Sequence, residues 1–187
     1  MERKHTDAFA NESIKVPFFH PSIDQNDKKY VLKALEAPLL TDGPKLREFE
    51  KKFSKFAGVR YAVGVSNGTD GLKLALQTFN LTENDLVIMP TNTFVADYLA
   101  VKHLPLVKPK VALIDHDEYF TINTAHLELF LKGYRRHFNK VVVIPVHLYG
   151  HSCDMDTIMK LSKEYNFNVI EDCSQSHETK YKGNYLG

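Results

Sequence analysis

Along this chain, short continuous apolar runs alternate with longer segments in which apolar residues recur every three or four positions. The runs are YAVGV at 61–65, LVIM at 86–89, VALI at 111–114, VVVIPV at 141–146 and VI at 169–170. Bounded by turn residues, each reads as a buried strand. Between them, Leu72, Ala75, Leu76 and Phe79 stand at i, i+3, i+4 and i+7 and predict a packed helix. Further helices are expected after residues 91–94 with Ala96, Leu99 and Ala100 inward, over about 124–134, and from Asp154 with Met155, Ile158 and Leu161 inward. Continuously apolar strands alternating with helices predict an α/β fold, a mainly parallel sheet with helices on both faces.

Upstream, a helix capped near Asp24 or Asn26 is expected to use Val31 and Leu35 on its buried side and to end at Pro38. In the turn Thr41-Asp42-Gly43-Pro44, the proline suits the first position of the next helix. Leu46, Phe49, Phe53 and Phe56 form its apolar stripe, and Gly58 stops it. Residues 1–13 are polar and aperiodic and are expected to be a disordered tail, so the folded part is expected over 14–187, entered through the apolar VPFF at 16–19. Residues 179–187 read as a polar turn or hairpin. No internal repeat and no linker marks a second domain.

Composition narrows the class. A net charge of +1 gives no electrostatic reason for a nucleic acid or anionic membrane partner. No apolar run has the length of a transmembrane helix, and the first residues lack a signal-peptide core. Two cysteines, Cys153 and Cys173, are too few for a disulfide scaffold or a zinc site. A cytoplasmic location and no metal are the expectations.

In parallel α/β sheets, ligands sit at the C-terminal ends of the strands. Polar clusters fall there: residues 66–70, 91–94, 147–150 and 171–177. The turn Ser66-Asn67-Gly68-Thr69-Asp70-Gly71 joins a strand to a helix, a geometry whose free amides and dipole can hold a phosphate. It equally suits plain helix capping by Ser66, Asn67 or Thr69. It is neither a Walker A loop nor a GxGxxG turn, so a dinucleotide-binding module finds no support. Glu171 and Asp172 end the last strand, and adjacent strand residues point to opposite faces, so one of the two can address a given site. Such a carboxylate can be a base, a metal ligand or the partner of a cationic ring nitrogen, or it can cap a turn. A metal hydrolase built on His147, His151, Asp172 and His177 is weaker, because the upstream histidines fall at a strand-to-loop transition.

VSNGTDGLKLAL, PTNTFVA, VHLYGHSCDM and VIEDCSQSH, in this order, resemble the DegT/DnrJ/StrS sugar aminotransferases, pyridoxal-phosphate enzymes of the aspartate aminotransferase fold type. The resemblance runs from about Ile14 to Gly187 and implies an incomplete large domain of a fold-type I enzyme. By resemblance, Gly68 and Thr69 hold the cofactor phosphate, and Phe94 stacks on the ring, where the plain alternative is a core phenylalanine. Asp172 pairs with the pyridine nitrogen and keeps the ring an electron acceptor. Gln175 lies near the phenolic oxygen. His147, Tyr149 and His177 are implied to be scaffold, and residues 41–44 resemble a loop that approaches the active site at a dimer interface.

The family's Schiff-base lysine belongs to a Ser-Phe-x-x-x-Lys motif expected beyond Gly187, and no Ser-Phe pair occurs in the 187 residues. Lys182 lies in the preceding turn pattern and is not a substitute. The resemblance thus implies the N-terminal portion of a nucleotide-sugar aminotransferase, whose whole would move an amino group from glutamate or glutamine onto a nucleotide-linked keto-sugar. The alternative is a non-catalytic, truncated or degenerate homologue that binds the cofactor weakly or supports a partner chain. A homo-oligomer, or completion by another chain, is expected in either case.

Overall fold

The structure is a computed structural model that describes residues 20–187. The expected tail and the apolar entry segment lie outside the described residues. The chain divides into two compact units, one ending at Glu48 and one running Phe49–Gly187.

In the first unit, α1 (Gln25–Leu35) starts where the sequence puts it. Asp24 accepts the Asn26 and Asp27 amides at 2.6 and 2.9 Å, and Asp27 returns a bond to the Asp24 amide at 2.8 Å, a closed capping box. The expected buried side is not found. Val31 and Leu35 are 60% and 62% exposed, and no residue of α1 is buried. An amphipathic stripe marks a face able to pack, and among the described residues nothing buries that face of α1. The 41–44 turn is fixed sterically: a Cβ on Gly43 would stand 2.4 Å from the Leu39 carbonyl oxygen. Arg47 adds a 2.9 Å ion pair to Asp42. Pro44 opens α2 (Pro44–Ala57), whose later residues belong to the second unit.

The second unit is built on a four-stranded parallel sheet in the order β2-β1-β3-β4. Its strands are β1 (Leu86–Pro90), β2 (Lys110–Ile114), β3 (Val141–Val143) and β4 (Asn168–Val169). The helices are α3 (Gly68–Gln77), α4 (Ala96–Lys102), α5 (Thr124–Tyr134) and α6 (Met155–Tyr165). Alternation along β1 and β3 divides the core. Val87, Met89 and Val142 pack with Leu72 and Leu76 of α3 and Ala96, Ala100 and Val101 of α4. Leu86, Ile88, Val141 and Val143 pack on the other face with Leu127 and Leu131 of α5 and Ile158 and Leu161 of α6. Both faces are covered at β1 and β3, as the continuously apolar strands predict. By contrast β2, at the sheet edge, is buried only at Ile114 and leaves Leu113 57% exposed, against the expectation of a buried strand. The C-terminal hairpin is also present, as β5 (Lys180–Tyr181) paired antiparallel with β6 (Asn184–Tyr185).

Two strand expectations are corrected. The apolar run at 141–146 is a regular strand only to Val143, because Pro145 has no N–H to give the ladder. Pairing nonetheless continues, with the Asp172 amide on the Pro145 carbonyl and the His147 amide on the Asp172 carbonyl, both at 3.0 Å. Residues 61–65 are extended but belong to neither sheet, and Tyr61, Val63 and Val65 are 70%, 77% and 44% exposed. A strand requires a neighbour for its backbone bonds. Here the Gly64 amide goes instead to the Glu50 carboxylate at 2.9 Å. The phenylalanines of α2 form the expected stripe, with Phe49–Phe53 and Phe53–Phe56 centroids 5.5 and 6.0 Å apart, but they remain largely exposed.

Candidate functional site

At the C-terminal ends of β1, β3 and β4, a cleft of about 280 Å³ is lined by segments far apart in sequence: Asn67, Gly68, Thr69 and Leu72 of α3; Thr93, Phe94 and Ala96 at the start of α4; Val146 and Leu148 after β3; Asp172, Ser174 and Gln175 after β4. All five residues singled out in the sequence, Gly68, Thr69, Phe94, Asp172 and Gln175, are on its wall.

The α3 end is shaped by Asn67. Its side-chain oxygen accepts the Asp70 amide at 2.9 Å, and its carbonyl takes the first intrahelical bond, from Gly71 at 3.1 Å. Asp70 is further tied to the Ser66 hydroxyl and to Asn67 Nδ2, and the Ser66 bond leads in holding its carboxyl below the usual range. With Asn67 doing the capping, the amides of Gly68 and Thr69 stand ahead of the helical ladder at the positive end of the dipole. Thr69 itself lines the cleft. Gly68 also brings α3 close to the loop after β4, since a Cβ there would meet Ser174 Oγ at 3.5 Å.

Asp172 is 7% exposed. Its Oδ1 accepts both the amide and the hydroxyl of Ser174, at 2.9 and 2.5 Å, which fixes the carboxylate and leaves Oδ2 for a ligand. Phe94 is 69% exposed on the cleft wall, which rules out the core-phenylalanine reading. Gln175 is held by the Tyr149 amide on its Oε1 at 3.3 Å and by the Gly150 amide on its carbonyl at 3.1 Å.

Glu171 and Asp172 diverge, as adjacent strand residues must. Glu171 turns to His147 Nε2 at 3.1 Å. His147 is fully buried, and its Nδ1 accepts the Cys153 amide at 3.0 Å. That amide can only donate, so the ring proton is on Nε2 and points at Glu171. This bond leads in holding the Glu171 carboxyl below its ordinary range. His147 therefore clamps the loop after β3 to the end of β4, a scaffold role. Ser176 adds a hydroxyl bond to the His147 carbonyl at 2.8 Å. The donor atoms of His147, Glu171 and Cys173 lie within 4.8 Å of one another. Both imidazole nitrogens are already engaged, however, and burial pushes the Cys173 thiol up to about 12, which disfavours a metal there. His177 is exposed on a second, wider cleft beside Phe49 and Phe53. Lys182 is paired with Asp156 on the hairpin side of α6, not in the cleft.

Of the three caps the sequence allows, Asn67 is the one that acts. The sequence reading missed Ser174 as the clamp on Asp172, and Asp97. The last is fully buried in the first turn of α4. Thr93 donates its hydroxyl to Asp97 Oδ2 at 2.5 Å, while Oδ1 has no hydrogen-bond partner among the described residues. Burial, helped by the nearby charge of Asp172, pushes this carboxyl up to about 6. The available signal was the Thr93–Asp97 spacing of four, flanked by the small inward residues Ala96 and Ala100.

Comparison with known proteins fits this arrangement. The chain is 37% identical over 174 residues to a GDP-perosamine synthase of Escherichia coli O157:H7, covering 92% of the chain and 46% of that protein. It is 35% identical over 155 residues to the dTDP-3-amino-3,6-dideoxy-alpha-D-galactopyranose transaminase of Aneurinibacillus thermoaerophilus, covering 83% of the chain and 41% of the relative. Among solved structures, the aminotransferase from Psychrobacter cryohalolentis superposes with a TM-score of 0.80 at 33% identity, covering 91% of this chain and 42% of that one. The chain thus spans less than half the length of these relatives. The model of the DegT/DnrJ/EryC1/StrS aminotransferase family matches residues 21–187 of this chain, a span that includes every wall of the cleft. Sequence motifs, sheet and cleft agree: the chain belongs to the DegT/DnrJ/EryC1/StrS aminotransferase family.

Proposed function

We propose that this chain forms the pyridoxal-phosphate-binding N-terminal portion of a nucleotide-sugar aminotransferase. The convergence of Gly68, Thr69, Phe94, Asp172 and Gln175 on one cleft carries the reading. The fit is chemical. A phosphate suits the leading amides of α3 and the Thr69 hydroxyl. An aromatic ring suits the exposed face of Phe94, a protonated ring nitrogen suits Asp172 Oδ2, and a phenolic oxygen suits the Gln175 amide. Bound there, the cofactor would supply an electron-accepting ring for amino-group transfer. The residues themselves anchor its phosphate, orient the ring and hold the proton on its nitrogen.

For the whole protein, the substrates are a nucleotide-linked keto-sugar and glutamate or glutamine as amino donor, and the working form is a cytoplasmic homo-oligomer. Among the described residues no helix is long and apolar enough to cross a membrane. The Schiff-base lysine is expected outside these 187 residues, as are the rest of the large domain and the small domain that follow this portion, 14–187.

The exposure of residues 61–65 favours a second reading for the chain by itself: a half-site that needs another polypeptide or a second copy for completion. Titration with pyridoxal phosphate, followed by absorbance and borohydride trapping, tests the cofactor site that both readings share. Sedimentation of the chain separates them, a stable monomer speaking against the need for completion. Saturable binding without a trapped lysine supports a cofactor site whose lysine lies elsewhere. Absence of binding removes the cofactor reading. Asp172→Asn is expected to weaken binding and alter the bound spectrum, and an unchanged affinity and spectrum would take Asp172 out of this role.

A further inference from the structure

Asp97 is the group in the second unit that the packing does least to explain. A buried carboxylate oxygen without a partner is costly, and among the described residues the side chain that bonds this carboxylate is Thr93, on the other oxygen. On the elements near α4, charged residues include Lys102 on α4 itself, Asp70 and Lys73 on α3, Lys110 on β2, and Glu171 and Asp172 beyond β4. Asp70 is engaged by Ser66, Asn67 and Lys73, and Glu171 by His147. Asp172 is the one whose charge bears on Asp97, and the two are alike in sign. Asp97 also follows directly on Ala96, which with Phe94 just ahead of α4 lines the cleft.

We propose that Asp97 is a positioning residue, a second buried carboxylate that acts with Asp172 to keep the nitrogen of a pyridine ring bound in the cleft protonated. The proposal rests on the cofactor reading above. Two like charges in a dry site repel each other, and a cation at Asp172 Oδ2 is attracted by both. Ser174 already occupies Asp172 Oδ1, so the position left for that cation is the cleft side, where the ring belongs. Thr93 favours the charged form of Asp97 and so tunes the pair.

The test uses pyridoxamine 5'-phosphate labelled with 15N in the ring, which binds without needing a lysine. Its nitrogen shift, followed from pH 5 to 9, reads ring protonation directly. In Asp97→Asn the bound ring nitrogen should lose its proton roughly one pH unit lower than in the parent chain. Affinities should draw together as pH falls far enough to neutralise Asp97 in both free and bound forms, and diverge above about 6. A folded, binding-competent Asp97→Asn chain with the parental ring titration overturns the proposal. If that variant does not fold, Thr93→Val carries the test. A lowered ring titration restored by Thr93→Ser supports the proposal, and an unchanged one refutes it. Failure of the parent chain to bind the probe removes the cofactor reading and this inference with it, an outcome distinct from binding with an unmoved titration.

Discussion

Asp97 should make the ligand-free fold pay at neutral pH, and Asp97→Asn exposes that cost. The ordinary value of 3.8 applies to the unfolded chain, whereas the folded carboxyl titrates at about 6. Between those values the folded form holds a proton that the unfolded form has released. The unfolded state then binds fewer protons, so stability falls as pH rises, and above about 6 the loss is complete. A gap of that size corresponds to about 3 kcal/mol. Asparagine keeps the acceptor for Thr93, but its amide meets the position where Oδ1 finds no partner, at a cost of about 1–2 kcal/mol. The two stability profiles should therefore cross. At pH 4 the parent is the more stable by about 1–2 kcal/mol, and at pH 7 the variant leads by a similar margin. Urea midpoints at closely spaced pH values, converted with a common slope, measure this. Parallel profiles would refute the assignment of the elevated carboxyl to Asp97.

Three other substitutions probe the supports of the cleft. His147→Ala empties a fully buried site, strands the Cys153 amide and frees Glu171, and should cost about 3–4 kcal/mol in urea unfolding. The same variant should change the acid limb: the stability Glu171 contributes is full above its ordinary 4.5 and lost as pH falls through its lower folded value, and without His147 that loss should shrink. Asn67→Ala removes the cap on α3 and should cost about 1 kcal/mol, with faster amide exchange confined to the first turn of that helix. Gly43→Ala drives a Cβ against the Leu39 carbonyl and should loosen the 41–44 turn, seen as lost exchange protection at the start of α2 with the core strands unaffected.

Much of this architecture is legible in the sequence because helices and buried parallel strands are encoded locally. The stripe of α6, with Met155, Ile158 and Leu161 inward, needs nothing beyond its own spacing. The cluster at each strand end follows from topology, so Gly68, Phe94 and Asp172 meet once the sheet is drawn. Residues 61–65 were misread because the pattern reports what a segment can bury, not whether a neighbour is there to bury it. The same holds for Val31 and Leu35 of α1. Asp97 was missed for the opposite reason, since a charge inside a helix reads as solvent-facing until the packing of α4 on α3 and the sheet is known.

The discontinuity of the cleft wall has a temporal consequence. Its first side chain, Asn67, and its last, Gln175, are separated by about 100 residues, which a ribosome takes on the order of 5–20 s to add. Until the strand bearing Asp172 has emerged, α3 presents its leading amides and α4 its Phe94 ring with nothing opposite them. If the cleft holds the proposed cofactor, its capture during synthesis would be gated by the growth of the chain rather than by diffusion of the ligand, since the two walls of the cleft do not coexist until Gln175 has been added.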